Sequence, residues 1–211
     1  FLTRFLSPAL VDEVQSDRVD LQQHGELRRV AVMFADLRSF SRTAEELGPE
    51  DTVRMLNEHF EHMVDEVFRF GGVLDKFLGD ALMAIWGAPV RRDDDALRAL
   101  RCALSMQGRI AKLGKVRRNV DLPAQRIGIG VHISEAVVGG IGAPMRLDYT
   151  AIGPCVNLAS RLCDLAGPGE VLTSFETVEP LAAQLDFQRV SQVKVKGFSE
   201  PVAVCRVTGE R

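Results

Sequence analysis

An excess of charge of one sign, paired cysteines and long apolar runs are all missing from this sequence, and each absence excludes something. Twenty-six basic against 29 acidic residues leave a net charge of −3, which gives nucleic acid or an anionic membrane no general electrostatic handle. The four cysteines, Cys102, Cys155, Cys163 and Cys205, form no CxxC pair and no short secreted framework, so reduced thiols in a cytoplasmic setting are expected. The longest uncharged, mostly apolar stretches, 81–90 and 136–145, fall well short of the roughly 20 residues a spanning helix needs. Low-complexity linkers and internal repeats are absent as well. An initiator Met and a signal-peptide pattern are also missing before Phe1, which points to a piece cut from a longer protein.

What remains is the composition of a globular chain. Its 211 residues are 46% hydrophobic and 26% charged, enough to bury about 70% of the unfolded surface without a disulfide or metal staple. Residues 1–26 read as a connector or surface helix, with Ser7-Pro8 as a start signal, and 27–211 as one domain. The basic stretch 115–118 and the charged run 91–95 read as solvated faces.

The run VAVMFAD, 30–36, predicts a buried strand that delivers Asp36 at its tip, with Ser39 and Ser41 in a polar bend after it. Asp51 and Thr52 are candidate caps for a helix whose core positions are Leu56, Phe60, Met63 and Val67, ended by Gly71-Gly72. VLDKFLGDALMAIWG predicts two short strands joined at Gly79-Asp80, and a second amphipathic helix follows over 93–112. Arg126–Val131 and 136–142 read as antiparallel partners. Pro154 opens a helix carrying Leu158, Leu162 and Leu165, and EVLTS, FQRVSQVKV and PVAVCRV supply three further strands. Together these elements predict an α/β (α+β) sandwich: a ferredoxin-like βαββαβ core with a mixed sheet and extra C-terminal strands.

Asp36 and Asp80 each end an apolar strand, and hard divalent ions are held by one or two carboxylates plus phosphate oxygens. Adjacent strands would bring both to one sheet edge, where they could hold two ions. Taken singly, Gly-Asp is also ordinary hairpin chemistry and Asp36 could be a turn cap.

Three strings, FADLRSFS, LDKFLGDALMAIWG and DYTAIGPCVNLASRL, together with the terminal VKVKGFSEPVAVCRV, resemble the catalytic domain of class III nucleotidyl cyclases, most closely a bacterial-type homodimeric adenylyl cyclase. The resemblance runs from about residue 28 to residue 207. It implies attack of a ribose 3′-hydroxyl on the α-phosphorus of a nucleoside triphosphate, at the two interface sites of a dimer, with an upstream regulatory domain in the full-length protein. Carried over position by position, it implies that Asp36 and Asp80 hold two divalent ions, Mg²⁺ or Mn²⁺. The backbone of Leu37, Arg38, Ser39 and Phe40 would cradle phosphates, and Lys196, Arg126 and more weakly Lys194 would contact them. Asn157, one helical turn before Arg161, would orient the ribose while Arg161 opposes charge at the α-phosphate.

The resemblance also places a base-reading pair at Lys76 and Thr150. Adenine offers an acceptor at N1 and donors at N6; a lysine donates and a threonine hydroxyl accepts. Lys with Asp or Thr is the adenylyl pattern, and Glu with Cys or another small residue the guanylyl one, so ATP is the expected substrate. A guanylyl or promiscuous cyclase, and a catalytically silent nucleotide-binding or dimerisation module, are the alternatives. Two positions depart from the family pattern. Pro154-Cys155 replaces a polar turn and removes a backbone donor, and Ser134 stands where a turn glycine is common.

Overall fold

The computed structural model describes residues 25–143, 145–194 and 200–211, together with Val11. The Ser7-Pro8 start signal and Lys196 lie outside the described residues. Strand β1 (Glu26–Leu37) leads through a short helix α1 (Phe40–Leu47) into α2 (Pro49–Arg69). The hairpin β2 (Val73–Leu78) and β3 (Ala81–Trp86) precedes α3 (Asp95–Arg118), followed by β4 (Ile127–Ala143), β5 (Arg146–Ile152) and α4 (Pro154–Leu165). Then come β6 (Val171–Ser174), α5 (Phe175–Val178), a 3₁₀ turn, β7 (Leu185–Val193) and β8 (Val202–Glu210).

Among the described residues, eight strands form one sheet in the order β2-β3-β1-β4-β6-β8-β7, with β5 on the outer half of β4. The first four strands have the ferredoxin-like order expected of a βαββαβ core, and β6, β7 and β8 are the extra C-terminal strands. Every pairing is antiparallel except β4 with β6, so the sheet is mixed.

From Val30 onward strand β1 is covered on both faces because its side chains alternate between two cores. Ala31, Met33, Ala35 and Leu37 pack with α2 and α3. Val30, Val32 and Phe34 pack instead with Ala136, Val138 and Ala151 of the β4–β5 arm and with Cys155, Ala159 and Cys163 of α4. The sheet is thus covered by helices on one side and by α4 and a strand arm on the other. Among the described residues, no helix is long and apolar enough to cross a membrane.

Several local expectations are corrected. Arg126–Val131 and 136–142 are not partners but parts of the single strand β4, which pairs with β1 from Ile127 to Val138. Nothing in His132-Ile133-Ser134-Glu135 makes a turn, so the strand runs on and hairpins only with β5, pairing Val137 with Ile152 through Ala143 with Arg146. The polar bend after Asp36 is instead helix α1, launched by Ser39 in the left-handed region at φ 61°. Helix α2 starts earlier than its candidate caps: Gly48 is its N-cap and Pro49 its first residue, leaving Asp51 inside the first turn, where its charge suits the helix dipole.

Met63 and Val67 are fully buried, whereas Leu56 and Phe60 are only partly so. The second long helix spans Asp95–Arg118 rather than 93–112. On α4, Leu158 and Leu162 are buried but Leu165 is exposed. The Pro154 start is as expected, with Gly153 as N-cap and no side-chain cap, and Cys155 turned into the core.

Candidate active site

Asp36 sits on the last turn of pleat in β1, opposite Ala81 of β3 on one side and Gly128 of β4 on the other. Asp80 occupies the β2–β3 turn next to Gly79, whose φ of 66° is a glycine conformation. The β1–β3 register brings the turn against the strand end, where the Leu37 N–H lies 3.4 Å from the Asp80 carbonyl. The two carboxyl groups face each other closely. Burial and the neighbouring Asp80 push the Asp36 carboxyl above its usual pKa, against the downward pull of Arg38.

Arg38 lies across this corner. Its N–H donates to the Arg126 carbonyl at 2.8 Å, and its guanidinium donates to Asp36 Oδ2 at 2.9 Å and to the Cys163 carbonyl on α4. The guanidinium rests on Gly128, where any side chain would strike it. One arginine therefore ties the Asp36 strand end to β4 and α4. The backbone N–H groups of Leu37 and Arg38 are turned to carbonyls within the fold. The first turn of α1, from Phe40, carries N–H groups with no acceptor inside the helix, the arrangement that receives anions. Arg126 is exposed beside this corner, with its guanidinium over Gly169.

The glycines at 128 and 130 account for the RIGIG string. A Cβ at Gly130 would come within 2.2 Å of the Cys163 nitrogen and 2.4 Å of the Ala159 carbonyl oxygen, so α4 lies directly on the β4 backbone. This contact fixes the helix that carries Asn157 and Arg161. Both side chains are on its exposed face, and Arg161 is engaged only loosely, 3.5 Å from Asp164. Asn157 and Arg161 thus face outward rather than into the Asp36–Asp80 corner. Lys194 is exposed just past the end of β7.

Lys76 and Thr150 meet, although β2 and β5 are on opposite sides of β1 in the sheet order. The outer half of β4 runs beyond the start of β1 and, with β5, packs over Val30, Val32 and Phe34. This fold-over sets Thr150 Oγ1 3.2 Å from Lys76 Nζ. The sequence reading missed a third member, Asp75, whose fully buried carboxylate accepts from the Thr150 hydroxyl and lies 3.3 Å from Lys76. Strand alternation would have sent Asp75 and Lys76 to opposite faces, but a bulge between Leu74 and Lys76 shifts the register there. Burial raises the Asp75 pKa, while Thr150 and Lys76 pull it back.

Among the described residues, no three His, Cys, Asp or Glu side chains gather into a metal-holding cluster. The facing Asp36 and Asp80 nevertheless suit hard cations that take one or two carboxylates and fill the remaining positions with substrate phosphate and water. The elevated Asp36 pKa marks a carboxylate pair that Arg38 only partly compensates.

The sequence model described as the adenylate and guanylate cyclase catalytic domain matches residues 22–206. "Adenylate cyclase 1" of Rhizobium meliloti is 35% identical over 184 residues, covering 86% of this chain but 28% of that protein. The chain therefore spans less than a third of that relative. The crystal structure of the adenylyl cyclase CyaB from P. aeruginosa superposes with a TM-score of 0.85 at 33% identity, covering 90% of this chain and 98% of that one. The guanylyl cyclase Cya2 gives 0.84, also at 33% identity, over 90% and 96%.

Proposed function

Because the chain belongs to the adenylate and guanylate cyclase catalytic domain family, we propose that it is an adenylyl cyclase, forming 3′,5′-cyclic AMP and pyrophosphate from ATP at the two interface sites of a homodimer. The observation that carries the choice of base is the Lys76–Thr150 pair at 3.2 Å. Overall likeness does not separate the bases, since an adenylyl and a guanylyl cyclase superpose almost equally well.

In this reading the 3′-hydroxyl gives up its proton to water, its oxygen forms a bond to the α-phosphorus, the bond from that phosphorus to the bridging oxygen breaks, and pyrophosphate leaves with the electron pair of that bond. Asp36 and Asp80 would hold two divalent ions, Mg²⁺ or Mn²⁺, which when bound supply Lewis acidity at the 3′-hydroxyl and the triphosphate. Arg38 keeps the Asp36 carboxylate aimed and partly neutralised. The first turn of α1 and Arg126 receive phosphate oxygens, and Lys196 serves the same triphosphate. Asn157 orients the ribose and Arg161 opposes charge growing on the α-phosphate, a fixed electrostatic contribution that needs no rearrangement in the transition state.

The outward face of Asn157 and Arg161 fits a site completed by a second copy. Phe77, Leu78, Leu147 and Ile152, neighbours in sequence of Lys76 and Thr150, are each nearly half exposed. Apolar surface of this kind marks an association face, and since one chain carries every group, a two-fold dimer holds two sites. Residues 1–26 would connect this domain to an upstream regulatory domain in a cytoplasmic protein.

The test is incubation of the chain at several concentrations with ATP or GTP and Mn²⁺, with products identified by chromatography and mass. Cyclic AMP from ATP, with specific activity rising with protein concentration, supports the reading. No cyclic product where the dimer is demonstrably formed overturns it in favour of a nucleotide-binding module, and equal turnover of GTP overturns the base assignment.

A further inference from the structure

Thr150 is a poor discriminator by itself, because a hydroxyl that is free to rotate can accept from adenine N6 or donate to guanine O6 with equal ease. Lys76 discriminates little either, since an ammonium donates to adenine N1 or to guanine O6. Something else has to fix the direction of the hydroxyl if this pair is to choose a base. Resting on the adenylyl cyclase reading above, we propose that Asp75 is the specificity-determining residue: by holding the Thr150 hydroxyl proton, it leaves Thr150 as an acceptor only and so selects adenine over guanine.

The argument is one of donor and acceptor counting. The Asp75 side chain is fully buried, and its Oδ2 accepts from Thr150 Oγ1. The hydroxyl's alternative acceptor, the Ala151 carbonyl, is 3.5 Å from Thr150 Oγ1, too long to compete with a carboxylate. Thr150 Oγ1 therefore spends its one proton inward. Of its two lone pairs, one receives Lys76 Nζ at 3.2 Å. Thr150 is 95% buried, keeping 5% exposure, so the remaining lone pair has only a narrow outward opening. A donor arriving there, such as the adenine N6 amino group, is bonded; an acceptor, such as guanine O6, meets a lone pair with no proton to turn toward it.

Lys76 is held in the same way. Its Nζ donates to Thr150 Oγ1 and lies 3.3 Å from Asp75 Oδ1 as an ion pair, which holds the ammonium in place and leaves it N–H groups for the base. Through the Thr150 hydroxyl the carboxylate links β2 to β5. Asp75 does not touch the base. It acts as a positioning residue through Thr150 and Lys76, and the bulge between Leu74 and Lys76 is what turns it inward.

The experiment measures kcat and KM for ATP and for GTP, with Mn²⁺ and product identification by mass, on the wild-type chain, Asp75→Asn, Thr150→Val and the double variant. In Asp75→Asn the side-chain amide can donate to Oγ1, which releases the hydroxyl proton toward the base. The expected result is a fall of about tenfold in the ATP-to-GTP ratio of kcat/KM, the effect of reversing one buried hydrogen bond. Most of it should appear in KM. On the Thr150→Val background the same change should leave the ratio unmoved.

A parallel loss for both nucleotides with the ratio preserved would show a merely structural role and overturn the proposal. So would a full-sized shift that persists without the Thr150 hydroxyl. Should Asp75→Asn fail to fold, Thr150→Ser and Thr150→Val decide the matter: the first should keep the preference and the second lose it, and retention by Thr150→Val overturns the idea. A wild-type chain that makes no cyclic product, or prefers GTP, defeats the underlying reading and this inference with it. A clear ATP preference that Asp75→Asn leaves intact defeats the inference alone.

Discussion

Replacing Gly130 with alanine tests the contact on which the placement of α4 depends. The added methyl would stand 2.2 Å from the Cys163 nitrogen, 2.4 Å from the Ala159 oxygen and 2.7 Å from the Leu162 carbonyl carbon. All three are backbone atoms, so no side chain can rotate aside and the helix must lift from the strand. Overpacking a well-filled core costs about 1–3 kcal/mol, and a clash with fixed backbone belongs at the upper end, about 3 kcal/mol. For a chain of this size each kcal/mol shifts the melting temperature by about 2–4 °C, so Gly130→Ala should melt about 6–12 °C lower.

The internal control is Gly108→Ala in the middle of α3, where a Cβ meets nothing within 4 Å. Alanine is the better helix former by about 0.8–1.0 kcal/mol, so that variant should melt about 2–4 °C higher. Both melts are read by circular dichroism at 222 nm. A Gly130→Ala protein within about 2 °C of wild type would refute the packing argument, since such a shift corresponds to under about 1 kcal/mol. Opposite signs for two Gly→Ala changes in one chain would be hard to obtain from propensity alone.

Arg161→Ala should lower kcat by about 100-fold while the melting temperature moves by under about 2 °C, because its ion pair with Asp164 is exposed; a large stability loss with ordinary kcat would reverse that assignment. Asp36→Asn and Asp80→Asn should each remove more than about 99% of cyclase activity at any Mn²⁺ concentration, the loss of several kcal/mol of Lewis-acid assistance, and residual activity above a tenth of wild type would count against the carboxylate pair. His132, whose Nδ1 lies 2.8 Å from Ser174 Oγ, is pushed by burial down to about 4. It stays neutral in the fold while the unfolded chain takes up a proton below about pH 6.5, so its own contribution to stability should fall by about 3 kcal/mol between pH 6.5 and pH 4, against the opposite trend of the raised Asp36 and Asp75 carboxyls. Urea titrations of wild type and His132→Gln check this: the variant should lose most of that slope, keeping the part due to His59, which burial also lowers.

The elements that the sequence made legible are those with strong local signals. An apolar run closed by Asp36, a Gly79 turn with positive φ, and Pro154 at the first position of α4 each appear where the residues put them. Three features escaped because their causes are not local. Strand β4 stays continuous through Ser134 since β1 offers it a partner along its whole inner half, and no window of a few residues reveals that partner. Helix α1 follows Ser39 only because a non-glycine residue takes a left-handed backbone there. Asp75 is hidden by a bulge that breaks the period-two rule used to read strands. Asp36 and Asp80 were paired by assuming adjacent strands, and the β1–β3 register supplies that adjacency.

The β4–β5 arm has a mechanical consequence. Beyond Val138, strand β4 has left β1 behind, and β5 is its ladder partner, so the arm is a cantilever rooted near residues 136–138. Its free length carries Thr150 to a support on β2, where Asp75 and Lys76 meet it. A base seated against both residues would pin the tip of that beam as well as its root. Nucleotide occupancy would then stiffen the half-exposed Leu147 and Ile152, which ride on the same beam, so the event of binding would be felt along its whole span.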